Sequence, residues 1–204
     1  AGIQNAGQTC SASSRILVQR GVYDAVRDRM AAAYRALRVG PAMDDLNVGP
    51  LISARQKEIV LGFLAKGADL TIAAEGQIVT DAQGHYVKPT LFADVPPDHP
   101  LAQDEIFGPV QVIIPFDDEA DAIAIANDTP YGLTNYVQTP DDEKRRYVAR
   151  RVRSGMVETN GKGFAQGSPF GGYKQSGNAR DKCIDSYKSY TQTKSAWISL
   201  SKPD

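Results

Sequence analysis

Two thiols are the most reactive side chains in this chain, Cys10 and Cys183. Cys10 lies in Asn5-Ala6-Gly7-Gln8-Thr9-Cys10-Ser11. Gly7 and the small neighbours leave its backbone uncrowded, as a thiol needs if a substrate carbonyl is to come within bonding reach. A nearby backbone N–H must then receive the developing oxyanion. The competing explanation is a buried structural cysteine, since free Cys is among the most buried residue types. His85 and His99 are the only imidazoles; neither lies close in sequence, so no Cys-His pair is evident. With no Cys-x-x-Cys clip, no zinc site is expected. A second candidate is Gln103-Asp104-Glu105-Ile106-Phe107-Gly108-Pro109. A carboxylate in a turn beside a sheet can accept hydrogen bonds from ligand hydroxyls, and a solvated acidic turn explains it equally well. A third is Ser168-Pro169-Phe170-Gly171-Gly172-Tyr173-Lys174, which could line a pocket with Phe170 or form a tight turn whose glycines take positive φ.

The elements that must hold these segments can be read from periodicity. Ser14 to Gln19 predicts a short buried strand. Val22, Val26, Met30, Ala33 and Leu37 share one face of a helix that Gly40-Pro41 ends. Ser53 is placed to cap a second helix carrying Ile59, Phe63 and Leu64 and closing near Gly67. Strands are expected at Asp69 to Ala73, Thr90 to Val95, Val110 to Phe116, Thr134 to Gln138 and Met156 to Thr159, with helices over Asp118 to Asn127 and Asp141 to Val152. Residues 77–100 are broken by Gly84, Pro89, Pro96, Pro97 and Pro100. Repeated strand-helix alternation predicts a three-layer α/β domain, a mostly parallel sheet with helices on both faces. Sites in such sheets gather in loops at the carboxyl ends of strands. The Gly-rich stretch 160–177 is long for a plain connector and is expected to be functional. Cys183 falls in an expected short helix. Tyr190 to Leu200 alternates polar and apolar residues as a terminal strand that pairs outside its own domain.

Composition narrows the function. The chain has 204 residues, 42% of them hydrophobic and 23% charged, with net charge -1. That is a folded globular balance, with no electrostatic case for nucleic acid or an anionic membrane surface. No apolar run approaches the roughly 20 residues of a membrane span, and the first residues lack the basic-then-apolar pattern of a secretory signal. Free thiols in a cytoplasmic setting are expected. The opening residues lack a start, strand or cap pattern, as if part of the chain preceded them.

GQTCSASSR, QDEIFGPV, ANDTPYGL, GMVETN and SPFGGYKQSG, in this order and spacing, resemble the aldehyde dehydrogenase superfamily from Asn5 to about Leu200. The resemblance implies that Cys10 attacks an aldehyde to give a thiohemiacetal, that hydride passes to NAD or NADP, and that a thioester remains. It gives the Cys10 N–H to the oxyanion hole and Glu105 to the nicotinamide ribose, with Phe107 near the nicotinamide and Gln56 near the cofactor. Thr9, Ser11, Phe164 and Phe170 match positions around the aldehyde pocket. It also implies a catalytic domain over residues 1–188 and an oligomerisation strand with its tail over 189–204. The cofactor-binding domain, with the general base and the second oxyanion donor, is expected outside this chain, so these residues alone should be nearly inert as a dehydrogenase. The partners implied are a small-molecule aldehyde and other copies of the chain. After Ser176-Gly177 the family usually continues Gly-Arg-Glu-Gly, and here Asn178-Ala179-Arg180-Asp181-Lys182 stands instead, which leaves the local turn open. This tail is similar to members that oxidise aminoaldehydes. Two other readings are a cysteine hydrolase or acyl-transferase without a nicotinamide, and a non-catalytic assembly domain using the terminal strand.

Overall fold

The structure, a computed structural model, describes residues 2–161, 163 and 165–200. From the amino end, β1 (Arg15–Gln19) leads through a short 3-10 turn into α1 (Tyr23–Arg35) and the two-residue β2 (Arg38–Val39). α2 (Ala54–Lys66) begins at Ser53, whose side chain accepts from the Gln56 N–H, and is followed at its end by Gly67; this is the cap the sequence predicts. β3 (Thr71–Glu75), β4 (Gln77–Ile78) and β5 (Thr90–Ala93) follow. Next come the single-turn α3 (Pro100–Gln103), β6 (Val110–Phe116) and α4 (Glu119–Asn127). The last part holds β7 (Tyr131–Gly132), β8 (Thr134–Val137), α5 (Asp142–Ala149), β9 (Met156–Thr159) and β10 (Tyr173–Lys174).

The main sheet has the order β1-β6-β5-β3. β6 is parallel to both β1 and β5, and β3 alone runs antiparallel. Apart from Gln111, β6 is apolar because it is covered on both faces. Val110, Val112 and Ile114 point into one core with Val60, Phe92 and Leu101. Ile113 points into the other, with Leu91, Tyr23, Ala31 and Tyr34. The layers are therefore α1, the sheet, then α2 with α3, the expected three-layer mostly parallel arrangement. A smaller parallel pair, β8 with β9, and an antiparallel pair, β10 with β7, lie beyond it.

Four local expectations need correction. Of the stripe expected for the first helix, Val26, Met30 and Leu37 pack against the core, where Tyr23, Ala31 and Tyr34 are the buried residues, whereas Val22 and Ala33 are exposed. Tyr34, outside the expected stripe, is buried and donates its hydroxyl to Gln111 Oε1 at 2.6 Å. Gln111 in turn donates to the Ser13 carbonyl, so a polar pair replaces the apolar contact that counting apolar residues favours. On α2, Val60 is fully buried while Ile59 is 41% exposed. Residues 191–200 form no strand and are exposed. An edge strand forms only where it pairs with a neighbouring strand, and no strand of the described residues pairs with this segment. Cys183 precedes a 3-10 helix, Ile184–Tyr190, and does not lie inside one. Among the described residues no helix is long and apolar enough to cross a membrane.

Candidate active site

The loop that carries Cys10 has an unusual backbone. Asn5, Ala6 and Gly7 are consecutive left-handed residues, with φ of 51, 55 and 76°. This arch folds the segment flat onto the turn before β6. A Cβ on Gly7 would overlap the Gly108 carbonyl and stand 2.9 Å from Pro109 N. The first and second motifs therefore meet backbone to backbone. Gln8 ties the arch down: its Nε2 donates to Asn5 O at 3.1 Å, and its Oε1 accepts from Ile52 N at 2.9 Å. Asn5 Nδ2 closes the loop on Gln8 O at 3.0 Å.

Cys10 and Ser11 then occupy the corner of a tight turn, closed by Ala12 N donating to Thr9 O at 2.9 Å. Cys10 is exposed. Among the described residues its N–H donates no hydrogen bond, so it is available to an incoming oxyanion. The other side of the turn is clamped by Tyr136 on β8, whose hydroxyl donates to Ser11 O at 2.8 Å. Burial raises the Tyr136 phenol above its ordinary range, with Glu158 and Cys10 adding in the same direction; its proton therefore stays on the clamp.

The second motif is held in an equally demanding shape. Phe107 has φ of 54°, and Gln56 fixes it by donating from Nε2 to Ile106 O at 3.2 Å and Phe107 O at 3.0 Å. Ile106 is buried, while Glu105 and Phe107 are presented outward, Phe107 at 38% exposure. The result is a carboxylate and an aromatic ring on one rigid turn, two residues apart. Gln56 acts on the backbone of that turn.

The remaining motifs close a cleft beyond Ser11. Gly155, just before β9, faces Gly171 so closely that a Cβ would overlap the Gly171 carbonyl. Lys174 Nζ donates to Asn127 O at 2.7 Å and Thr129 O at 2.9 Å, anchoring β10 to the end of α4. Phe170 and Asp181 exchange two backbone hydrogen bonds, 2.9 and 2.7 Å. Ala179 keeps a negative φ; the left-handed positions nearby are Gly177 and Lys182, so the Asn178-Ala179 replacement leaves the turn intact. These contacts enclose an open cavity of about 460 Å³ lined in part by Ser11, Met156, Phe170 and Lys182.

Of the residues expected at a site, Ser11 and Phe170 share this cavity, and Cys10 is next to it in the chain. Glu105 and Phe107 belong to a neighbouring turn, held by Gln56 from α2, and none of the three is among its lining residues. Thr9 turns its hydroxyl back to Gln4 O at 3.4 Å and does not line it either. Phe164 lies outside the described residues. Tyr136, Met156 and Lys182 were not singled out in the sequence. Tyr136 is 125 residues from Ser11, and its apolar-polar setting in β8 carries no mark of that contact. Among the described residues no group of three metal-ligating side chains occurs.

The class defined so far is a three-layer α/β domain with an exposed thiol on an arched loop and, packed against it, a second tight turn that carries Glu105 and Phe107. The aldehyde dehydrogenase family model matches residues 1–196, and the chain belongs to that family. It is 39% identical over 199 residues to DhaS of Bacillus subtilis strain 168, covering 96% of this chain and 40% of that protein. Among solved structures, the aldehyde dehydrogenase of Mycobacterium tuberculosis complexed with NAD+ aligns at a TM-score of 0.90 with 40% identity, over 100% of this chain and 43% of that one. A cysteine-to-alanine mutant of aldehyde dehydrogenase C from Pseudomonas syringae, complexed with NAD+ and octanal, aligns at 0.89 with 36% identity, over 95% of this chain and 41% of that one. The chain thus spans about 40% of the length of the relatives it matches.

Proposed function

We propose that this chain supplies the catalytic half of an NAD(P)-dependent aldehyde dehydrogenase, with Cys10 as nucleophile. The observation that carries the reading is the Cys10 turn itself: an exposed thiol with a free backbone N–H, held from both sides and opening beside a cavity. The Cys10 sulfur adds to the aldehyde carbon, and the carbonyl oxygen becomes an oxyanion that the Cys10 N–H receives. Loss of hydride from that carbon leaves a thioester on Cys10, and water then releases the carboxylic acid and restores the thiol. NAD(P), when bound, accepts the hydride.

The residues present fit the nicotinamide end of such a cofactor. Glu105 offers a solvent-facing carboxylate to a ribose diol, and Phe107 offers a ring face beside it, with Gln56 holding the turn that carries both. We assign the remaining cofactor contacts and the general base to segments outside these 204 residues, and the catalytic domain to residues 1–188. The solved relatives described with NAD+, and the one with octanal, support an aldehyde as the substrate class. The exposed Tyr190, Trp197, Ile198 and Leu200 of the 189–204 tail suit addition to a sheet of another copy, hence a homo-oligomer. The free thiols suit a cytoplasmic setting.

Alkylation with limiting iodoacetamide, followed by peptide mapping, tests the nucleophile. Cys10 is exposed and Cys183 half-buried, so the label is expected on Cys10. Preferential labelling of Cys183 would overturn the assignment.

A further inference from the structure

Among the described residues that line the cavity beyond Ser11, one side chain is ionisable, Lys182. Met156, Pro169 and Phe170 make its walls largely apolar, and Ser11 marks the end next to Cys10. Lys182 Nζ stands 4.7 Å from the centre of the Phe170 ring. The paired hydrogen bonds between Phe170 and Asp181 set the distance between ring and lysine backbone. Lys182 itself has φ of 59°, a conformation a non-glycine residue adopts at a cost of order 1–3 kcal/mol. The fold thus tolerates local strain at the residue that brings an ammonium to the cavity wall. Asp181, the nearest carboxylate in the chain, is not among the lining residues.

We propose that Lys182 makes this cavity selective for aldehydes that carry a carboxylate at the end remote from the reacting carbonyl. The inference rests on Cys10 as the nucleophile and names the substrate class of that site. With the aldehyde carbon at Cys10, a substrate's far end extends along the Met156–Phe170 wall toward Lys182. An exposed cation over an aromatic ring is held only weakly, so a carboxylate can recruit it. An ammonium at the same place meets a like charge, so the lining disfavours the aminoaldehydes oxidised by the members to which the tail sequence is similar.

The test uses acyl transfer to Cys10, which needs no cofactor. The chain is treated with p-nitrophenyl acetate and with the mono-p-nitrophenyl ester of glutaric acid. Nitrophenolate release gives the rates, intact mass locates the acyl group, and a free cysteine peptide gives the reference ratio. The anionic ester is expected to react about two- to fivefold faster than the reference ratio predicts, the range of an exposed ion pair. Lys182→Gln removes the preference, Lys182→Glu reverses it and Lys182→Arg keeps it. These variants all share the same backbone demand at that position. In the wild-type protein the preference shrinks as salt is raised to about 0.5 M, which a purely steric effect would not show. An unchanged ratio in Lys182→Gln, or no salt dependence, overturns the inference and leaves Cys10 as nucleophile untouched. Failure of both esters to acylate Cys10 overturns the nucleophile assignment and this inference with it.

Discussion

Gly7 is the position where the Cys10 loop and the Glu105–Phe107 turn touch, and its replacement by alanine has a calculable cost. Two penalties apply. The first is backbone strain, because an L-residue at φ of 76° is disfavoured by about 1–2 kcal/mol. The second is steric. The added methyl would overlap the Gly108 carbonyl and lie 2.9 Å from Pro109 N. These are backbone atoms that cannot rotate aside, and overpacking of this kind costs roughly 1–3 kcal/mol. Together they give about 2–5 kcal/mol, a large share of the roughly 5–15 kcal/mol that stabilises an ordinary domain. Gly161→Ala is the control. It has a similar φ of 67° with nothing within 4 Å of the added methyl, so it carries only the first penalty. In urea, with a slope of about 2 kcal/mol per M, Gly7→Ala should lower the midpoint by roughly 1–2.5 M, and Gly161→Ala by about 0.5–1 M. The two should also differ chemically, since lifting the arch off Gly108 moves the Cys10 turn. Alkylation of Cys10 should change rate in Gly7→Ala and not in Gly161→Ala. Equal midpoint shifts with equal thiol reactivity would refute the claim that this glycine couples the two motifs.

Three further outcomes are expected. Tyr136→Phe removes the hydroxyl that clamps Ser11 O; it should cost about 1 kcal/mol and slow acylation of Cys10, which stopped-flow with an activated ester would detect. Gln56→Ala frees the carbonyls of Ile106 and Phe107, so chymotrypsin should cut after Phe107 several-fold faster, while unchanged cleavage would show that the turn holds without it. Burial raises the phenols of Tyr34, Tyr23 and Tyr136. The unfolded chain therefore releases these protons near about pH 10 while the folded one retains them. Stability should be level below that pH and fall as pH rises above it; urea midpoints across that range should show a shallower fall in Tyr34→Phe.

Much of the scaffold was legible because its signals are local. Ser53 announces α2 as a cap, and the strong strand signal Val110–Phe116 is the observed strand residue for residue. Met156–Thr159 is likewise the strand the sequence suggests. Val26, Met30 and Leu37 of the expected helical stripe do face the core, but the place of Tyr34 was not legible, because it enters the core through a hydrogen bond to Gln111 and an apolar count passes it over. β2 and β4, two residues each, are too short for a period to show. At the site, the exposed cysteine stood out, but the left-handed Ala6 did not, since alanine carries no hint of positive φ. Lys182 and Tyr136 were invisible for a different reason. Their partners lie 12 and 125 residues away, and no local pattern encodes such pairings.

The position of β1 at the edge of the main sheet bears on how the protein is made. β1 has one ladder partner in that sheet, β6, and Arg15 pairs with Val112. During synthesis, at about 5–20 residues per second, the segment around Cys10 waits on the order of 5–20 seconds for that strand to be made. Gly108 and Tyr136, which shape the arch and the turn, arrive in the same late interval. Until then the thiol belongs to an unstructured stretch on the nascent polypeptide, open to oxidants and to disulfide exchange. A protein built this way gains its reactive loop late in assembly, after the surrounding layers have been laid down.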